Sequence, residues 1–332
     1  MDLKEQIMQI RTLRELQALS QAPIWPSDFA EVALMIDLSG APLTDPETHL
    51  VNRWLQRLPV PSVGLNPGSA SDSLRLDVLV ETEAAGYELL ERIRLRPKAA
   101  SVLVQTTRMT LGLPVASGLV IESLGYGMLQ AGSEFTDWLQ HQPMRASKTP
   151  VAEPVHLDRQ DSTLNITLAQ PENRNALSVA MRDGLTDAFS LVAMDPSIED
   201  VIVRGEGPCF SAGGDLSEFG SCPDVSDAHR IRQLRMPASV LAEASERYTF
   251  YLHGACIGAG IELPAFAERI IATPDTVFRL PEVAMGLIPG AGGCVSITKR
   301  IGNQRTNWLA ISGTELSAEQ ALAWGLIDAI AD

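Results

Sequence analysis

Three glycine-rich stretches constrain this chain more than any other feature: SAGGD (211–215), GACIGAGIEL (254–263) and GLIPGAGG (286–293). Each follows an apolar run that reads as a buried strand. Those runs are VIVRG (201–205), RYTFYLHG (247–254) and RIIATPDTVFRL (269–280), the last read as strand, turn, strand. Glycine takes positive φ without a Cβ clash and lets backbone N–H groups approach a ligand atom closely. Two such turns at the ends of neighbouring strands can aim two N–H groups at one oxygen, which is an oxyanion hole. Any one cluster is read as well by a tight turn or close helix packing. The three together point to backbone donors. None fits a phosphate loop: G-x-x-x-x-G-K-[ST] is absent and GAGIEL is not G-x-G-x-x-G, so no dinucleotide site is expected.

Strand–helix alternation around these stretches predicts an α/β domain. VHLDR (155–159) and TLNITLA (163–169) alternate apolar and polar residues around Gln160-Asp161-Ser162, a hairpin signal. Residues 175–192 read as an amphipathic helix. The chain has 332 residues, which suits about two domains. A proline-rich linker is expected at QPMRASKTPVAEP (142–154), dividing residues 1–150 from 151–332. Ahead of it the pattern is mainly helical, with helices expected over 84–93, 99–111 and 119–139. In the last, Leu124, Met128, Phe135 and Trp138 fall near one face. VALMIDL (32–38) and LDVLVE (76–81) read as short buried strands.

Composition excludes several function classes. The net charge is −15, so nonspecific binding to nucleic acid or an anionic membrane is not expected, because phosphate contacts need Lys and Arg. Aromatic residues are 5%, too few for a base-stacking platform. Cys209, Cys222, Cys256 and Cys294 form no C-x-x-C pair, and reduced buried thiols are expected rather than a zinc site. No stretch has the length of a membrane span and the N-terminus lacks a secretory h-region, so a cytoplasmic location is expected.

Two carboxylates adjoin the glycine stretches. Glu262 ends the second and falls in the first turn of a helix among apolar neighbours. Glu282, 20 residues on, sits in LPE just before the third. A carboxylate flanked by buried positions has a raised pKa and suits acid–base work. Alone, each is read equally well another way: Glu262 as a helix-start carboxylate favoured by the dipole, Glu282 as a solvated loop residue.

Together these residues resemble the crotonase, or enoyl-CoA hydratase/isomerase, superfamily. PENRNALS (171–178), PCFSAGGDLSEF (208–219), HGACIGAGIEL (253–263), FRLPEVAMGLIPGAGG (278–293) and SGTELSAEQALAWGLID (312–328) occur in the family's order and spacing. The resemblance implies a ββα spiral core with an additional, mainly helical N-terminal region. It implies an acyl-CoA thioester substrate, with CoA entering as part of the substrate and no separate cofactor or metal. By the same resemblance, the oxyanion donors are the N–H groups of Gly214 and Ala259. Ala212, Gly213, Gly214, Asp215 and Ala259 line the substrate path, and Glu262 and Glu282 are catalytic. The glutamate pair favours hydration. Enoyl-CoA isomerase, hydrolase or decarboxylase activity, and a non-catalytic acyl-CoA-binding role, are the alternatives. A homo-oligomer, trimer or hexamer, is implied.

Some positions depart from the family pattern. His253 stands where many members have Asn, and is expected to be a structural variant. Leu280 replaces the common Gln or Gly. Family members continue beyond the WGLID stretch with helices that cover the acyl pocket. Here LDVLVETEAAGYELLERIRLRP (76–97) and GLVIESLGYGMLQAGSEFTDWLQHQP (118–143) resemble those helices, including Glu122, Tyr126, Leu129, Glu134, Phe135, Trp138 and Leu139. Residues 84–143 are therefore expected to pack on the core and close the pocket, burying Tyr126 and Trp138.

Overall fold

The computed structural model describes residues 10–21, 31–68, 71–143 and 153–331; most of the expected linker, residues 144–152, lies outside them. The N-terminal half opens on a four-stranded, all-parallel sheet: β1 (Ile10–Thr12), β2 (Leu34–Asp37), β3 (Ser62–Leu65) and β4 (Val78–Val80), in that spatial order. Helices α1 (Leu13–Ser20) and α2 (Asp45–Leu55) make two of the crossovers. Both start on capping boxes, Thr12 with Glu15 and Thr44 with Glu47, which satisfy the free N–H groups of the first turn. The period of two along β2 sends Leu34 and Ile36 into one apolar cluster with Leu16, Val51 and Trp54, and Met35 into the main core on the other face.

The first half is mainly helical with short strands, as expected, and its strands join in this sheet. The strands expected over 32–38 and 76–81 are β2 and β4; β1 and β3 were not expected. With three residues, Ile-Arg-Thr, β1 is too short to show an alternation. A glycine hides β3: a Cβ on Gly64 would lie 2.8 Å from side-chain carbons of Leu38, Leu76 and Leu79.

Four helices follow: α3 (Glu83–Leu95), α4 (Pro97–Thr110), α5 (Val115–Gln130) and α6 (Ser133–Gln140). The single helix expected over 119–139 is two, broken at Ala131 and Gly132. The break resets the helical phase, so Leu124 and Met128 are 55% and 60% exposed while Phe135 is buried. Glu134 caps α4, accepting from the Lys98 and Ala99 N–H groups at 2.9 and 3.0 Å.

The C-terminal half winds strands between two sheets. Its elements are β5 (Val155–Gln160), β6 (Thr163–Leu168), α7 (Val179–Met194), β7 (Asp200–Gly205), α8 (Val225–Arg235), α9 (Pro237–Leu241) and β8 (Tyr248–Leu252). Then come β9 (Ala255–Ile257), α10 (Ala259–Glu262), β10 (Arg269–Ala272), β11 (Val277–Arg279), α11 (Gly293–Ser312), β12 (Leu316–Ser317), α12 (Ala318–Trp324) and β13 (Ala329–Ile330). The larger sheet has the order β13-β10-β8-β7-β6-β5, parallel except for the β5–β6 hairpin. The smaller sheet has the order β12-β11-β9. β8 leads into β9 and β10 into β11, so each turn of chain leaves one strand in each sheet. That is a ββα spiral. Helix α7 begins at Val179 rather than 175, because Arg174 and Asn175 take left-handed φ and Ser178 caps the helix through the Met181 N–H.

The two halves share one apolar core. It runs from Val63, Val80, Leu103 and Leu119 through Phe135 to Ile288, Val295 and Leu309. Close approach is built in at Gly118, where a Cβ would come within 2.9 Å of Val295. Thr107 and Thr110 on α4 donate to Asn307 Oδ1 and the Cys294 carbonyl at 2.9 and 2.8 Å. Residues 84–143 thus pack on the core as expected. Tyr126 and Trp138 are half-buried rather than buried. Cys209, Cys256 and Cys294 are buried free thiols and Cys222 is partly exposed. Among the described residues, no helix is long and apolar enough to cross a membrane.

Candidate active site

The SAGGD turn is laid down by the chain that follows β7. Ser211 bridges Cys256 of β9: its N–H donates to the Ala255 carbonyl and its carbonyl accepts from Ile257, at 3.2 and 3.1 Å. Gly213 has φ +86°, and a Cβ there would lie 2.7 Å from the Ile257 carbonyl oxygen. Across the turn, a Cβ on Gly260 would meet the Ser211 carbonyl. The turn carrying Gly214 and the first turn of α10, which starts at Ala259, are therefore pressed together. Among the described residues, the Gly214 and Ala259 N–H groups take no part in the turn and loop hydrogen bonds around them. These are the two N–H groups that the family resemblance proposes as oxyanion donors.

Asn175, which the sequence placed only within a matched stretch, fastens this turn. It is fully buried with φ +50°. Its Nδ2 donates to the carbonyls of Glu206, Phe210 and Cys209 at 2.8, 3.0 and 3.2 Å, and its Oδ1 accepts from Gln170. Two hydrogens serve three carbonyls and Oδ1 accepts once, so the amide acts as a rigid clip. Asp215 ties its own loop to the one that carries Asn173. It accepts from the Ser217 N–H and hydroxyl at 2.9 and 2.7 Å and from Asn173 Nδ2 at 2.8 Å. Ala212 donates its N–H to the Arg174 carbonyl at 2.9 Å. His253 meets the Gly207 carbonyl through Nε2 at 3.0 Å, in keeping with a structural variant.

Glu262 and Glu282 meet over Gly258. That residue has φ +49°. A Cβ on it would collide with Oε1 of Glu282 and lie 3.6 Å from Oε1 of Glu262. Glu262, 2% exposed, is held from behind: its Oε2 accepts from the N–H groups of Ala291 and Gly293 at 2.7 and 2.9 Å. Those donors are at the start of α11, where the helix dipole also favours a negative charge. Burial nonetheless raises the Glu262 pKa to about 7. Glu282, 9% exposed, begins a 3₁₀ turn and is buried rather than solvated. Its Oε2 is buried with no hydrogen-bond partner. Burial, and then the negative charge of Glu262, push its carboxyl well above the usual range.

A third carboxylate was not foreseen in this role. Glu122 on α5, 1% exposed, accepts from the Gly292 and Cys294 N–H groups at 2.7 and 2.8 Å. Next to it the Tyr126 ring lies against Gly290, where a Cβ would collide with it, and Arg232 of α8 sits 4.8 Å over the same ring. Helix α6 closes the other side. Its Phe135 and Trp138 pack with Phe219 at centroid distances of 6.5 and 6.1 Å. The Phe219 ring abuts Gly214, where a Cβ would come within 2.8 Å of it. The first half of the chain thus supplies walls on two sides of the carboxylate pair.

The profile of the family "Enoyl-CoA hydratase/isomerase" matches residues 158–332. A 2,3-dehydroadipyl-CoA hydratase of Escherichia coli (strain K12) is 30% identical over 171 residues, 52% of this chain and 66% of that one. A mitochondrial Delta(3,5)-Delta(2,4)-dienoyl-CoA isomerase of Mus musculus is 31% identical over 183 residues, 52% of this chain and 56% of that one. The chain therefore spans two thirds or less of the length of these relatives. The crystal structure of an enoyl-CoA hydratase from Thermoplasma volcanium GSS1 superposes with a TM-score of 0.50 at 32% identity, covering 55% of this chain and 73% of that one. Over half of its length this chain carries the family's sequence pattern and its spiral fold, and it belongs to the enoyl-CoA hydratase/isomerase family.

Proposed function

We propose that the chain is an enoyl-CoA hydratase, adding water across the α,β double bond of an enoyl-CoA thioester. The observation that carries this reading is the pair of buried carboxylates over Gly258, one anchored by two N–H groups and the other with a bare buried oxygen. Hydration needs both a base and an acid at adjacent carbons. Two buried carboxyls that repel each other's charge supply one of each.

In the proposed reaction the thioester oxygen sits against the Gly214 and Ala259 N–H groups, which stabilise its enolate charge. Glu262 orients a water and takes its proton as the water oxygen bonds to Cβ. Glu282 gives its proton to Cα. Glu262 is then protonated and Glu282 ionised, and exchange with solvent restores the pair. An isomerase needs a single carboxyl to carry a proton between two carbons, which would leave the anchoring of Glu262 without chemical use.

Incubation with crotonyl-CoA tests the reading. Steady loss of the enoyl-thioester absorbance, with 3-hydroxyacyl-CoA as product, is expected. Isomerisation of a 3-enoyl-CoA with no hydration of crotonyl-CoA would replace the reading by the isomerase one. The pH dependence of kcat follows from the two roles. Glu262 must be ionised, so activity should rise as pH increases through about 7. Glu282 must be protonated, so activity should fall again on the alkaline side, giving a bell whose two limbs belong to the coupled pair. A flat profile from roughly pH 5 to 9 would sink the assigned roles.

Gly214→Pro removes one proposed oxyanion donor while taking no hydrogen bond from the turn. It is expected to lower kcat by about 10²–10³-fold. Phe219 must shift to admit the ring, so circular dichroism is needed to show that the variant folds. A folded variant with weaker ester binding and unchanged kcat would remove Gly214 from the oxyanion role.

A further inference from the structure

The turn formed by residues 289–294 is gripped by carboxylates from opposite sides, in alternation. Ala291 and Gly293 donate to Glu262; Gly292 and Cys294 donate to Glu122. Glu262 comes from α10 and Glu122 from α5, 140 residues earlier in the chain and outside the family-matched residues. The two grips differ. Glu262 takes both N–H groups on one oxygen, Oε2, leaving Oε1 directed at Gly258. Glu122 spends one oxygen on each N–H, so both of its oxygens are committed. Glu122 also has a fixed base. The neighbouring Ser123 hydroxyl lies 2.8 Å from His229 Nδ1 and accepts from Arg232 Nε at 2.9 Å, tying α5 to α8.

We propose that Glu122 is a positioning residue of the catalytic centre: by holding the Gly292 and Cys294 N–H groups it fixes the turn whose other two N–H groups aim Glu262 at the substrate. This rests on the hydratase reading for its catalytic consequence, and on the hydrogen-bond geometry alone for its structural one. A turn free to move would let the Glu262 carboxyl move with it. Misplacing a reacting group by about 1 Å costs roughly 10²-fold in rate while leaving binding of the CoA portion alone.

The test uses the full chain with Glu122→Ala and Glu122→Gln. Glutamine is the informative change, because its amide oxygen can keep one N–H while its NH₂ faces the other. Crotonyl-CoA hydration should show kcat reduced roughly 10²-fold in Glu122→Ala and less in Glu122→Gln, with KM little changed, the signature of an interaction that acts on the transition state. Residue-resolved amide exchange provides a readout independent of activity. The Ala291 and Gly293 amides, which Glu122 does not touch, should exchange about tenfold faster in both variants, with Phe250 in β8 unaffected. Unchanged exchange at Ala291 and Gly293 would overturn the proposal whatever the rates. Faster exchange with an unchanged kcat would overturn its catalytic part. Uniformly faster exchange, at Phe250 as well, would reduce Glu122 to general stability and overturn it too. Should Glu122→Ala fail to fold, Glu122→Gln alone decides. If the wild-type chain hydrates no enoyl-CoA, the hydratase reading fails and the exchange measurement still judges Glu122.

Discussion

Glu282→Gln and Glu262→Gln are each expected to lower kcat for hydration by about 10²–10⁴-fold, with binding of the CoA ester largely kept. Both changes preserve shape. The glutamine oxygen at 262 can take the place of Oε2, since the Ala291 and Gly293 N–H groups converge on that one atom. At 282 the buried Oε2 makes no hydrogen bond that an amide would break. What disappears is the capacity to take or give a proton. Stability separates the loss of chemistry from the loss of fold. Because the Glu262 pKa is raised from 4.5 to about 7 in the folded protein, its contribution is complete at acid pH and is lost as pH rises through about 7. Glu262→Gln abolishes that loss, which is worth on the order of 3 kcal/mol at most. The variant should therefore match or exceed wild type in denaturant midpoint at pH 8 while nearly inactive. A double variant with near-wild-type turnover would end the two-carboxylate assignment.

The second large effect concerns the first half of the chain. Residues 154–332 expressed alone are expected to aggregate, or to persist as an inactive self-associating species. Removing α4 and α5 strips the cover from Ile288, Val295 and Leu309, and an apolar patch of that kind drives association. It also withdraws the Thr110 bond to Cys294 and both Glu122 bonds at the start of α11. Size-exclusion chromatography with the crotonyl-CoA assay decides. A monodisperse fragment with full activity would show that the N-terminal half is an appendage.

The site was largely readable in the sequence because its parts are local. Gly213, Gly258 and the first turn of α10 each meet a backbone demand within a few residues, and the two glutamates lie beside them. Glu122 was readable only as one letter in a helix pattern. Its role depends on a contact across 170 positions, which no local periodicity encodes. The same limit explains the N-terminal sheet, whose β3 hides behind a glycine packed among leucines from two places in the chain. It also explains the misread helix at 119–139. The residues there keep helical spacing across Ala131 and Gly132, but the chain turns to dock Phe135 and the Glu134 backbone against Gly286.

The order of the chain sets an order of events at the ribosome. Helix α6 is complete at Gln140, but α11, against which α4 and α5 pack, starts only at Gly293. At bacterial and eukaryotic elongation rates the lining of the site waits roughly 10–30 s for the surface it lines. The nascent chain must therefore carry the apolar sides of α4 and α5 through most of its synthesis. The four-stranded sheet and the neighbouring helices α3 and α6 are native partners already available to them. A translational pause after residue 143 would lengthen that exposure, whereas one after residue 312 would fall when the partner helix had already been made.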